Sequence, residues 1–128
     1  METLCKKVFV IEDDTVIRES LTELLKLEGY GVESFATGHE AIVRLKQHTE
    51  PCLVLLDMMM PVMSGVQFML EFHKLPHAIV PIPVYLFAAN ATKELADNLG
   101  CLGFMRKPAD LEVILNLVNR YCHKRSDL

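Results

Sequence analysis

No apolar run in this chain of 128 residues approaches the roughly 18–20 residues that a membrane-spanning helix needs. The N-terminus, METLCKK, sets its lysines directly before a short apolar run and lacks the long apolar stretch and small-residue cleavage site of a signal peptide. A cytoplasmic protein is therefore expected. The C-terminal HKR is one small basic patch, and the formal net charge is -4. Phosphate contacts need clustered cations, so neither nucleic acid nor a membrane is expected as a direct partner. There is no C-x-x-C pair, and the spacing of Cys5, Cys52, Cys101 and Cys122 suits no zinc site. Most of these cysteines lie in or beside apolar segments, so they are expected to be reduced thiols serving as small hydrophobes. Linkers, low-complexity stretches and short repeats are also missing, and one domain over residues 1–128 is expected. At 51% hydrophobic residues, the chain can bury a core and is not globally disordered.

What is present is an alternation of strand and helix signals. Val8–Ile11 is a short, β-branched apolar run, the mark of a buried strand. Val16, Ile17, Leu21, Leu24, Leu25 and Glu28 then follow at helical spacing, with Gly29 at the stop. Val32–Phe35 predicts a second strand, and Thr37-x-x-Glu40 a capping box opening a helix through Ala41, Ile42 and Leu45. Residues 53–56 predict a third strand, and Ser64-x-x-Gln67 a second capping box before Phe68, Met69 and Phe72. A fourth strand is expected at residues 83–87, followed after Asn90 by a short helix through Leu95 and Leu99 that stops at Gly100. A fifth strand falls at 103–105, and Leu111, Ile114, Leu115, Val118 and Tyr121 mark a last amphipathic helix capped by Asp110. Five such units predict a doubly wound α/β domain with a parallel sheet covered on both faces.

In such sheets the working site lies beyond the carboxyl ends of the strands. Glu12-Asp13-Asp14 follows the first strand and Asp57 the third. Crowded carboxylates repel unless a cation binds them, and hard oxygen donors suit Mg²⁺. An aspartate beside that ion can attack phosphorus as a nucleophile. Lys107, after the fifth strand and held extended by Pro108, is placed to grip phosphoryl oxygens. Taken singly, each feature has an ordinary explanation: solvated turn acids, a helix cap, a loop Lys-Pro. All three at successive strand ends, in this order, point to phosphoryl chemistry.

The runs VFVIEDDTVIR, LVLLDMMMPVMSG, PVYLFAA and GFMRKP resemble the receiver domain of two-component response regulators, the D-x-x-x-P-x-M-S-G stretch at residues 57–65 most specifically. With the helix pattern, the resemblance covers nearly the whole chain. It implies a flavodoxin-like three-layer sandwich with strand order 2-1-3-4-5. It implies phosphoryl transfer from a histidine kinase or phosphotransfer protein to Asp57, in a signalling module with no enzymatic output of its own. Asp13 and Asp57 would ligate Mg²⁺ directly, the backbone carbonyl of Met59 would be a third ligand, Glu12 would act through water, and Asp14 would be secondary. Lys107 would pair with the phosphoryl group, and the Lys107–Pro108 bond would be cis. Phe104 aligns with the aromatic switch position. Met59 and Asn90 align with positions that tune phosphoryl lifetime; Met59 cannot orient a water, so slow autodephosphorylation is expected. Asn90, Phe104 and the last helix would border the face for a downstream partner.

One position departs from that pattern. Ala88 stands where the family usually has Thr or Ser, whose hydroxyl bonds the phosphoryl group and draws its loop inward. The amides of Ala89 and Met58 could still bind phosphoryl oxygens, but one charge-assisted bond is lost, worth about 1.5–3 kcal/mol. Weakened switching with phosphorylation retained is expected. A receiver that signals without phosphorylation is the alternative, as is a receiver cut from a larger regulator or hybrid kinase, since only HKRSDL follows the last helix. A phosphatase of the haloacid dehalogenase type would need D-x-D on the first strand, and a flavin carrier a Ser/Thr/Gly-rich loop where Glu12-Asp13-Asp14 stands. Met58, Met59, Met60, Met63 and Met69 follow no ligand spacing and are expected to fill gaps and pack loops. His73 and His77 straddle a helix-ending Pro76 and are not expected to share a metal.

Overall fold

The computed structural model describes residues 6–47, 50–59, 63–76 and 82–124. Ten elements alternate: β1 (Val8–Ile11), α1 (Thr15–Leu27), β2 (Val32–Phe35), α2 (Gly38–Leu45), β3 (Leu53–Asp57), α3 (Gly65–Lys74), β4 (Val84–Ala88), α4 (Lys93–Leu99), β5 (Gly103–Arg106) and α5 (Leu111–Tyr121). All strand pairings are parallel, in the order β2-β1-β3-β4-β5. The strand order reverses beside β1, so β1 and β3 are neighbours and their carboxyl ends open onto one crevice.

The period of two along the strands divides the core. Phe9, Ile11, Val54, Leu56 and Leu86 face one side of the sheet, where Ile42, Phe68, Met69, Phe72 and Ala96 of α2, α3 and α4 cover them. Val8, Val10, Leu53 and Leu55 face the other, under Leu21 and Leu25 of α1 and Ile114, Leu117 and Val118 of α5. Each buried side chain of this size contributes about 1.5–3 kcal/mol, which is why the all-apolar strands settle in the middle of a three-layer sandwich.

The helix starts follow the caps read from the sequence. Thr37 accepts from the amide of Glu40, and Ser64 and Gln67 form a reciprocal capping box. Asp110 caps α5 through the amide of Glu112. α4 is capped by Thr92, two residues past Asn90, and ends at Gly100 in a left-handed conformation (φ 78°) that only glycine adopts without strain. The third and fifth strands each run one residue further than their apolar runs, taking in Asp57 and Arg106.

Two expectations need correction. Cys52 and Cys122 are joined in a disulfide, not held as thiols. The chain separates them by 70 residues, but the start of β3 and the end of α5 meet at the same end of the sheet, with Cα atoms 5.4 Å apart. Cys101 is a free buried thiol, its pKa pushed up to about 11 by burial, and Cys5 lies outside the described residues. Met59 fills no gap among the described residues: it is 76% exposed, whereas Met69 fills the core and Met58 and Met63 pack against it. Met60 and His77 lie outside the described residues, and α3 ends at Lys74, before Pro76.

Candidate functional site

The crevice at the carboxyl ends of β1 and β3 holds three acids. Oxygens of Glu12, Asp13 and Asp57 lie within 4.8 Å of one another, a group that could hold a metal ion. Glu12 and Asp57 are buried and Asp13 is exposed, so the cluster opens to solvent on one side. Lys107 reaches across from the end of β5. Its Nζ donates to Glu12 Oε1 at 2.8 Å and to Asp57 Oδ1 at 3.1 Å. The bond from Lys107 to Pro108 is cis.

One ammonium does not balance three carboxylates. Burial first, and then the neighbouring Glu12, push the Asp57 carboxyl up to about 7, against the pull of Lys107. The Lys107 ammonium is itself held above its ordinary value. Burial acts against its charge, but the bonds to Glu12 and Asp57 outweigh that cost. The site as it stands wants more positive charge, and its donors are all hard carboxylate oxygens. That donor set fits Mg²⁺ and would suit a thiol-seeking metal poorly.

The loops around the acids are fixed by bonds to main chain. Asp14 caps α1, accepting from the amide of Ile17 at 3.0 Å, and its own amide donates to Glu12 Oε2. Asp14 therefore belongs to the helix start and not to the cluster. The Met59 amide donates to Asp57 Oδ1 at 3.3 Å. The Met58 amide is committed to the carbonyl of Phe87 at 2.9 Å, continuing the β3–β4 ladder. It is thus not the open donor that the sequence led us to expect.

Ala88 is buried at the end of β4, opposite Arg106 in register, and its carbonyl accepts from the Lys107 amide at 3.0 Å. Phe104 sits opposite Leu86, partly buried against the α4 side of the core. Asn90 is exposed in the loop before α4. Glu12, Asp13, Asp57 and Lys107 thus come together. Phe104, on the sheet face under α4, and Asn90, out in the loop, have no bond to that cluster among the described residues.

Two arginines escaped sequence reasoning. Arg18, one turn into α1, donates through Nη1 to the carbonyls of Glu12 at 2.8 Å and Asp13 at 3.3 Å, gripping the loop that carries both acids. Arg106 donates to the carbonyl of Ala91 at 2.9 Å. A third feature was half legible. Val16, Ile17, Leu27 and Leu111 carry helical spacing but are exposed, Val16 by 73%. They flank a groove of about 880 Å³ between α1 and α5 whose floor reaches Glu12 and Lys107.

Known proteins are similar to this chain in sequence and in fold. The chain is 33% identical over 120 residues to the transcriptional regulatory protein CrdR of Helicobacter pylori, covering 91% of this chain and 54% of that protein. It is 28% identical over 122 residues to the probable transcriptional regulator ycf29 of Porphyra purpurea, covering 93% of this chain and 57% of that protein. The chain therefore spans about half the length of these two relatives. Sporulation initiation phosphotransferase F of Bacillus subtilis is 28% identical over 122 residues, with 95% of this chain and 98% of that protein covered. Among solved structures, the response regulator receiver domain protein of Methanospirillum hungatei superposes with a TM-score of 0.77 at 26% identity, covering 91% of this chain and 93% of that one. The model of the response regulator receiver domain family matches residues 8–119, and the chain belongs to that family, as a receiver domain of two-component response regulators.

Proposed function

We propose that Asp57 accepts a phosphoryl group from the phosphohistidine of a histidine kinase or phosphotransfer protein. The observation that carries this proposal is the Lys107 ammonium bridging Glu12 and Asp57 beside Asp13. A carboxylate oxygen of Asp57 attacks phosphorus. The P–N bond to the donor imidazole breaks, the imidazole keeps the electron pair, and an acyl phosphate forms on Asp57. Mg²⁺ bound to Asp13, Asp57 and the Met59 carbonyl, with Glu12 acting through water, would neutralise phosphoryl charge and favour the ionised nucleophile. Lys107 pairs with a phosphoryl oxygen, exchanging Glu12 for it. The amides of Met59 and Ala89 are the proposed main-chain donors, in place of Met58.

The donor is proposed to seat a histidine-bearing helix in the groove between α1 and α5, where exposed Val16 and Leu111 border the way to Glu12 and Lys107. The chain acts here as a signalling module without catalytic output of its own. Its downstream face is proposed around Asn90, Phe104 and α5, where Leu102 and Val113 are also exposed. No helix among the described residues is long and apolar enough to cross a membrane. A cytoplasmic setting is part of the proposal, and the Cys52–Cys122 bridge is the observation that stands against a reducing compartment. A second mode, signalling without phosphorylation-driven switching, is favoured by one observation alone: Ala88 supplies no hydroxyl to the crevice.

Mass spectrometry after incubation with acetyl phosphate and Mg²⁺ tests the central claim. The wild type should gain one phosphoryl mass and Asp57→Asn none. An unmodified wild type, or equal modification of both, would reject Asp57 as acceptor.

A further inference from the structure

Arg106 and Lys107 are consecutive at the end of β5, so their side chains leave the strand in opposite directions. Lys107 goes to the acidic crevice, where it holds Glu12 and Asp57. Arg106 goes to the β4–α4 loop, where its Nε donates to the Ala91 carbonyl. That loop is otherwise tied to the site only by main chain among the described residues: the Lys107 amide donates to the Ala88 carbonyl, and the Ala91 amide closes a turn onto the same oxygen at 3.3 Å. Ala91 is fully buried, and the next residue, Thr92, caps α4 by accepting from the Leu95 amide at 3.1 Å. A pull on the Ala91 carbonyl is therefore a pull on the start of α4.

We infer that Arg106 is a positioning residue that ties the phosphorylation site to the β4–α4 loop from outside, doing by a guanidinium–carbonyl bond what a hydroxyl at Ala88 would do from inside. The inference rests on Asp57 being the phosphoacceptor. When Lys107 leaves Glu12 for a phosphoryl oxygen, the end of β5 shifts with it, and the neighbouring residue carries that shift to Ala91. Arginine suits the task. A charge-assisted bond to a carbonyl is about twice as strong as a neutral one. The tie adds a side-chain link where Ala88 offers only its main-chain carbonyl, and it uses a side chain with no hydrogen bond to the acids among the described residues.

Beryllofluoride with Mg²⁺, a stable mimic of the phosphoryl group, separates this role from a merely structural one. Fluorine NMR reports whether the mimic is bound at Asp57. Amide NMR reports, for each variant, the change between free and bound protein at Met59 and at Ala91, Thr92 and Leu95. The wild type should respond at both places. Arg106→Ala should keep the bound fluorine signal and the Met59 response while its loop response falls to that of the distant β2 strand. A purely structural arginine would move the resting loop resonances and leave the free-to-bound change intact. That outcome, or a wild type that binds the mimic with a silent loop, would overturn the tie. A missing fluorine signal in the wild type would instead overturn the acceptor role of Asp57, and this inference with it.

Discussion

Removing the charge of Asp57 should stabilise the protein, and the gain should appear only as the pH rises. The Asp57 carboxyl is held at about 7 against an ordinary 3.8. Between those values the folded protein keeps a proton that the unfolded chain gives up. Stability from this group is therefore full below the ordinary value and is lost as the pH climbs through the folded one. A gap of roughly three units at 1.36 kcal/mol each sets a ceiling of about 4 kcal/mol. Asp57→Asn does not titrate, and its side-chain carbonyl can still accept from Lys107. With a chelator present, the variant should exceed the wild type by about 2–4 kcal/mol at about pH 8 and by little at about pH 4.5. Urea unfolding of both proteins at the two pH values measures this, with a common slope confirming that only stability has changed. Millimolar Mg²⁺ should close the gap by stabilising the wild type through binding, and should do far less for the variant. Parallel stability–pH profiles, or a variant weaker than the wild type at the higher pH, would refute the claim that the three acids are short of positive charge.

Ala88→Thr places a hydroxyl in the crevice and should strengthen the free-to-bound amide response of the β4–α4 loop by the worth of one charge-assisted bond, about 1.5–3 kcal/mol; beryllofluoride titrations of both proteins that give the same loop response would count against it. Autodephosphorylation should be slow, because the exposed Met59 side chain orients no water, and following the phosphoryl mass over time with Mg²⁺ present checks this; a half-life of seconds would contradict it. Reducing the Cys52–Cys122 bridge with a dithiol should cost stability, with about 4 kcal/mol as the entropic ceiling for a closed loop of 70 residues. Unfolding curves that coincide with and without reductant would mean that the two thiols are not joined.

The elements were legible wherever side chains alone decide. The apolar runs marked the three central strands because burial on both faces leaves no other composition. Thr37, Ser64 and Asp110 marked helix starts because an unpaired helical amide needs a side-chain oxygen. Asp57 and Lys107 were legible together from their places at strand ends and from the receiver-domain resemblance, and the order of the strands supplies the adjacency that spacing alone could not. The bridge between Cys52 and Cys122 was hidden by sequence distance, since the two positions become neighbours only when the start of β3 and the end of α5 meet at the same end of the sheet. The exposed stripe of Val16 and Ile17 misled in another way. Helical spacing tells which residues share a face, but not whether a neighbouring element covers that face.

What escaped most completely was a class of contact. Arg18 and Arg106 both act on backbone carbonyls, and every residue has one, so no pairing of residue types in the sequence points to them. The missing hydroxyl at Ala88 was legible for the opposite reason: it is a side-chain group absent from a side-chain pattern. A sequence motif can therefore show that a link is lost without showing what replaced it. Here the replacement lies one residue from the motif lysine, in a side chain turned away from the acids. Its position gives it the leverage. Because Arg106 and Lys107 share one peptide unit, a displacement of the lysine's backbone bears directly on the arginine, whereas a hydroxyl on β4 would have to report through a strand already held on both sides by β3 and β5. On this geometry, losing the residue 88 hydroxyl would change the route from Asp57 to the start of α4 and leave its endpoint in place.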